Sequence, residues 1–302
     1  MYSSDDPRAK LTGGAAVDAL RFAGAEYVRF REFPARQCGD DAPTWYARGQ
    51  NFVVAYTEAE AGAVLSRMEQ LDEYMLLIPE RKVEVTVEAP GETRVLSGHS
   101  LVIVPPGQST ITVHTPGIVV RVFSARSADL AAAAVNAASY MQQHPNIPPY
   151  EAWPAPPEGY RIRAYDLDVP PVKGRFGRIW RCSSVMINVL PLENGPRDLD
   201  RLSPHHHEDF EQGSLALQGS FTHHIRWPWT ARFRDWRGDE HEVCPAPSLC
   251  VIPPPAIHTS AGSDPRINQL VDIFSPPRTD FSRMEGWVLN ASEYPMPAER
   301  SV

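Results

Sequence analysis

An all-β protein built from two barrels is the architecture this sequence predicts, and three observations predict it. The 302 residues include 30 prolines against 19 glycines. Proline has no amide hydrogen and a fixed φ, so helix interiors and central strands exclude it and turns and strand ends take it. Between residues 51 and 125, and again between 161 and 277, apolar runs of strand length rich in Val, Ile and aromatic residues are bounded by Gly, Pro and Ser. The two stretches also repeat one another. VIVPPG at Val102–Gly107 corresponds to VIPPP at Val251–Pro255, and VRVFSA at Val120–Ala125 to LVDIFSPP at Leu270–Pro277, in the same order. One supersecondary plan used twice explains that repetition.

Taken along the chain, residues 1–44 mix short helical signals with turn residues and read as an N-terminal arm. Residues 45–126 form the first barrel, with strands expected in Asn51–Glu60, Tyr74–Glu80, Lys82–Ala89, Ser100–Gly107, Ser109–Thr115 and Gly117–Ala125. Within Lys82–Glu88 charge alternates with valine, which places one strand face in solvent and the other on a core. Residues 127–159 are a helix and a stiff connector. Ser127 to Gln143 is alanine-rich with Ser127 as N-cap, and Pro145–Pro157 holds six prolines and can form neither helix nor central strand. Residues 160–280 form the second barrel and residues 281–302 a C-terminal tail.

Composition removes several classes of function. The chain has 29 basic and 37 acidic residues, a net charge of −8, and no basic cluster interleaved with aromatic residues, so neither nucleic acid nor an anionic membrane is an expected partner. No stretch approaches the length of an apolar span and the first residues lack a basic, apolar leader, which makes the cytoplasm the expected location. Cys38, Cys182, Cys244 and Cys250 form no CxxC pair, and are expected to be reduced thiols, most of them buried.

The chemistry concentrates in Pro204–Gln212. Residues two apart on a strand share a face, so His205 and His207 can present two imidazoles to one point while His206 turns away. His258 follows Pro253-Pro254-Pro255 at the end of a later strand. Three neutral imidazoles from two strands make a site for a divalent transition metal.

In these residues the sequence resembles the cupin superfamily. His205, His207, Gln212 and Gly219 match its first motif, and Pro253, Pro255 and His258 its second. Duplication gives a bicupin, and the resemblance implies two jelly-roll barrels with one divalent transition metal per chain, Fe(II) first, with Mn, Ni or Zn as alternatives. This chain departs from the family pattern in three places. Gln212 stands where the family has a carboxylate, with Glu211 as the alternative fourth ligand; Pro255 replaces a glycine, and Gly262 an asparagine. A glutamine donor adds no charge, which leaves a more Lewis acidic centre. In the first half Ser66, Met68, Glu73 and Thr110 align with the ligand positions, so that barrel is expected to be empty and structural or dimerising.

Around the site, His223, His224 and Glu211 are the acid/base candidates, with a buried or surface histidine as the plain reading of the first two. Arg226, Trp227 and Trp229 are candidate substrate contacts, and Trp236 joins them at a barrel mouth or as cover for a loop. Gln212 to His258 spans 46 positions against 37 from Glu73 to Thr110, the surplus falling where a lid could form. The resemblance implies a metal-dependent enzyme acting on a small molecule, a dioxygenase of an enolic, diketonic or phenolic compound. The alternatives are an isomerase or epimerase of a keto acid or sugar, and a non-catalytic binding module. A homodimer is the expected assembly.

Overall fold

The computed structural model describes residues 22–37, 42–230 and 232–298. Its strands form four antiparallel sheets, paired as two barrels. In the N-terminal barrel one sheet runs in the order Arg163–Asp166, Ser100–Val104, Tyr74–Ile78, Gly117–Ser124, Phe52–Ala59, Pro43–Arg48 and Arg36–Gln37. It packs on a four-stranded sheet of Val64–Gln70, Gly107–Val113, Glu84–Ala89 and Glu92–Ser97 through Leu65, Val85, Val87 and Ile111, all buried against Leu76, Val102 and Phe123. The valine alternation read in the sequence holds there, with Val85 and Val87 inside and Glu84 and Glu88 outside.

The C-terminal barrel repeats the plan. Its larger sheet runs Glu26–Arg29, Ser248–Ile252, Glu211–Gln218, Ile267–Ser275, Met186–Val189 and Arg178–Arg181, with the short Glu193–Asn194 also on Ile267–Ser275. The smaller sheet is Glu240–Pro245, Ser220–Arg226 and Ile257–Gly262.

Two strands cross between the barrels. Glu26–Arg29, from the segment read as an arm, pairs with Ser248–Ile252 of the C-terminal sheet, and Arg163–Asp166, from beyond the connector, pairs with Ser100–Val104 of the N-terminal sheet. Boundaries drawn at 44 and 160 along the chain therefore differ from the sheets. Pairing between edges so distant in sequence leaves no periodic signal to read. The two larger sheets share one core, in which Phe52, Val54, Met75 and Val120 are buried with Leu215, Leu249, Val271 and Ile273. At Gly213 the sheets approach so closely that a Cβ would stand 2.8 Å from the Phe52 ring.

The expected long helix is shorter than its alanines suggest. It covers Ala128–Ala133, followed by a 3₁₀ turn at Ala137–Tyr140. Ser127 offers no cap; its hydroxyl meets Gln70 instead. Asn136 then halts the helix by exchanging two hydrogen bonds with the Arg48 backbone, and the Val135 N–H donates to Tyr46 O. Tertiary partners have overridden propensity here. Cys182, Cys244 and Cys250 are buried free thiols, and Cys38 lies outside the described residues. Among the described residues no helix is long and apolar enough to cross a membrane.

Strand register corrects the internal alignment by one residue. Tyr74 lies opposite Val104 as Gln212 lies opposite Ile252, and Leu76 faces Arg121 as Ser214 faces Asp272. Arg67 pairs with Ser109 as His205 bridges to His258. The counterpart of Gln212 is thus Tyr74 rather than Glu73; Ser109, paired with Arg67, meets Tyr74 as His258 meets Gln212, and the next residues, Thr110 and Ser66, pair with each other. A register shift between Gly107 and Ser109 contributes to the displacement.

Candidate metal centre

The residues from Leu202 to Phe210 are not a strand; they meet the smaller sheet through an isolated antiparallel bridge, in which His205 N donates to His258 O at 3.1 Å and His258 N to His205 O at 2.8 Å. That bridge, not strand alternation, brings the histidines together. The His205 and His258 ring centroids are 4.5 Å apart, and His207 meets His258 edge-on at 5.1 Å. His205 is exposed, while His207 and His258 are buried and His206 faces solvent.

Each ring nitrogen can be followed. His205 Nδ1 lies 3.0 Å from Ser203 O and His258 Nδ1 2.9 Å from Ala256 O. A carbonyl only accepts, so both Nδ1 atoms carry the hydrogen and both Nε2 atoms keep a lone pair. His207 stacks on Phe210 at 4.0 Å, and both of its nitrogens are buried without a partner. Burial first, and then the neighbouring His258 and Arg278 charges, push the His207 pKa down to about 2. Burial likewise lowers His258 to about 4, so these imidazoles are neutral.

Gln212 completes the cluster. Its side-chain N–H groups donate to Ser214 Oγ at 3.1 Å and Asp272 Oδ1 at 3.3 Å, and Ser214 Oγ donates to the same carboxylate oxygen at 2.9 Å. This orientation turns Gln212 Oε1 toward His258 Nε2, 3.3 Å away. Two lone pairs then face each other across a gap that a cation would bridge. Among the described residues no three His, Cys, Asp or Glu side chains are already arranged as a metal cluster. The donors present, three neutral imidazoles and an amide oxygen, nevertheless fit a divalent transition metal, and the orphaned His207 nitrogens are the observation that favours it. His205, His207, His258 and Gln212 are the residues that could hold it.

Strand alternation separates Glu211 from this cluster. Its buried carboxylate points into the seam between barrels, accepting from Gln50 N at 2.9 Å and Asn51 N at 3.1 Å, and burial raises its pKa to about 7. It does not reach the imidazoles, and the acid/base reading of Glu211 falls with that placement. His223 and His224 divide by alternation. His223 is inside, with Nδ1 on Ser260 Oγ at 2.7 Å and Nε2 unpartnered; His224 is on the outer face against His241. The aromatic hairpin also lies elsewhere. Arg226 pairs with Asp239, Trp227 donates to Glu240 beside the crossing strand, and Trp229 stacks in solvent on Trp236 at 4.4 Å. None of the three lines the cavity beside the cluster, so neither the substrate contacts nor the lid is found there.

That cavity, of about 60 Å³, is lined by His205, Gln212, His258, Phe176, Arg197 and Asp272 among others. Arg197 braces its wall by donating to Ser260 O and Ser203 Oγ. Asp272 is fully enclosed and burial lifts its pKa to about 6. Sequence reading missed Asp272 and Arg197. A lone carboxylate inside the apolar run Leu270–Phe274 is a signal that could have found the first; nothing in the sequence marks the second.

The paired barrels, with histidines gathered at the mouth of the second, define the two-barrel cupin fold. Among solved structures, the formate complex of Lactobacillus farciminis oxalate decarboxylase is similar at a TM-score of 0.57 and 12% identity, over 86% of this chain and 89% of that one. A single-residue mutant of Bacillus subtilis oxalate decarboxylase follows at 0.55 and 12%, over 84% and 79%. AerE from Microcystis aeruginosa is similar at 0.54 and 10%, over 82% and 99%. No family model matches the sequence, and no curated protein does. At these identities the likeness is one of fold.

Proposed function

We propose that the C-terminal barrel is the centre of a metal-dependent oxidoreductase, a dioxygenase that takes a small enolic or diketonic substrate, with His205, His207, His258 and Gln212 as metal ligands. The observation that carries this reading is the opposed pair of acceptors, Gln212 Oε1 and His258 Nε2 at 3.3 Å, beside the His207 imidazole, whose nitrogens are buried without a hydrogen-bond partner among the described residues. A divalent metal bound there would supply Lewis acidity for two adjacent substrate oxygens and a place for dioxygen.

The chain's own residues favour one substrate class. All four donors are neutral, and the nearby carboxylate, Asp272, spends Oδ1 on Ser214 and Gln212, so an anionic chelate best balances the metal charge. Arg197 at the wall adds a fixed positive charge for it. A cavity of about 60 Å³ favours a short diketone or keto-enol acid over a catechol. His223 is buried with Nε2 unpartnered, and burial, then the nearby His258, lowers its pKa to about 3, so it is neutral.

The test is oxygen uptake by iron-reconstituted protein presented with short β-diketones, enolisable keto acids and catechols. Uptake with the short diketones or keto acids, lost in His258→Ala, is the expected result. Protein that binds iron at one per chain yet consumes no oxygen with any of them overturns the dioxygenase reading and leaves an isomerase or a binding module. The solved oxalate decarboxylases of the same fold make oxalate a useful further compound in that panel.

A further inference from the structure

We propose that the N-terminal barrel is a second binding site, for a small monocarboxylate held on Arg121. The corrected register shows what replaces the histidine cluster in this half. Tyr74 occupies the place of Gln212 and Arg121 that of Asp272, and Ser109, paired with Arg67, meets Tyr74 as His258 meets Gln212. Where the C-terminal barrel gathers neutral donors suited to a cation, the N-terminal barrel gathers two fixed cations.

The two arginines are not equivalent. Arg67 donates to Gln70 and forms a two-pronged ion pair with Asp129, so its charge is met. Arg121 is 2% exposed, and its Nε and Nη2 atoms are buried with no partner among the described residues. Those two atoms form one edge of the guanidinium, whose parallel N–H bonds match the two oxygens of a carboxylate. The carboxylate Asp72 is taken by Gln70, Ser124, Tyr150 and Arg126. An enclosed guanidinium with an open fork and no counter-charge is costly to leave unpaired, and a bound monoanion removes that cost.

The surroundings suit a small organic acid. The Arg121 and Arg67 Cζ atoms lie 5.7 Å and 5.6 Å from the Phe123 ring centroid, and Tyr74 stacks on the same ring at 4.6 Å. Tyr74 Oη and Ser109 Oγ, 3.0 Å apart, offer a hydroxyl pair at the position of Gln212 and His258. Phe123 therefore sets an aromatic ring against the guanidinium, and Tyr74 and Ser109 extend that wall with a hydroxyl pair.

The experiment is equilibrium dialysis of metal-stripped full-length protein against radiolabelled acetate, with chloride and inorganic phosphate as competitors. One acetate per chain is expected in wild type and in the C-terminal variant His207→Leu, none in Arg121→Met, and about tenfold weaker binding in Arg121→Lys, which keeps charge but loses the fork. Retention in His207→Leu separates this site from the metal centre. Absence of a saturable acetate site in wild type overturns the proposal, as does unchanged binding in Arg121→Met. Phosphate displacing acetate at lower concentration overturns the carboxylate assignment. Should Arg121→Met fail to fold, the comparison of wild type with Arg121→Lys still decides.

Discussion

Replacing His207 by Leu should make the metal-stripped protein more stable and abolish its stabilisation by metal. The His207 ring is 7% exposed and neither of its nitrogens has a partner. An unsatisfied buried polar group costs about 1–3 kcal/mol. Leucine fills a similar volume without polar atoms, but it gives up the 4.0 Å stack on Phe210, a loss of about 0.5–1.5 kcal/mol. The net gain in the stripped protein is about 1 kcal/mol, which for a chain of this size raises Tm by about 2–3 °C. With metal the order reverses. Wild type gains about 4 kcal/mol at a free metal concentration a thousandfold above Kd, and the variant gains nothing. Differential scanning calorimetry of both proteins, stripped with chelator and then reloaded, reads the crossing. A stripped variant less stable than wild type by more than about 1 kcal/mol would show that the ring is not an orphan. Retention of one metal per chain with an undiminished Tm gain would remove His207 from the ligand set.

Two further outcomes test the seam between barrels. Gly213→Ala puts a methyl 2.8 Å from the buried Phe52 ring and should destabilise by about 1–3 kcal/mol; Phe52→Leu in the same chain should recover part of the loss in denaturant melts, and a change below about 0.5 kcal/mol in the single variant contradicts the close approach. Glu73 accepts from Tyr294 Oη at 2.7 Å and Ser183 Oγ at 3.0 Å, and burial raises its pKa above the ordinary 4.5. A carboxyl raised on folding binds a proton more tightly in the native state, so its ionised form weakens the fold above the unfolded pKa and the weakening fades as pH falls through the folded pKa. The stability of wild type minus that of Glu73→Gln should therefore grow as the pH is lowered toward the ordinary glutamate value; a difference flat with pH would mean that Glu73 is not raised.

Much of the fold was legible because its signals are local. Prolines closing strands at Pro105-Pro106 and Pro253-Pro254-Pro255, and β-branched runs between them, mark edges of elements whatever the tertiary context. The exchanged strands Glu26–Arg29 and Arg163–Asp166 were not legible, since each pairs with a partner specified by the meeting of two barrels. The helix beginning at Ser127 was overread for the converse reason: alanine records what the chain prefers alone, while Asn136 and its hold on Arg48 record what the barrel imposes.

The site shows how narrow the margin is. His205, His207 and Gln212 all lie against His258, though through an isolated bridge rather than the strand their spacing suggested, yet neighbouring Glu211 is carried to the opposite face, because on a strand one residue is the difference between the barrel interior and the seam. The same single step governs the other half. Aligning carboxylate with carboxylate matched Glu73 to Gln212 and made the first barrel look like a site that had merely lost its ligands. Register matches Glu73 to Glu211 instead: both are buried carboxyls that tie one barrel to the other, Glu73 to Ser183 and Tyr294, Glu211 to Gln50 and Asn51. Moved by that one residue, the interior of the first barrel is not blank but holds Arg67, Tyr74, Ser109 and Arg121. The duplicated plan thus sets imidazoles and an amide in one copy and arginines and hydroxyls in the other.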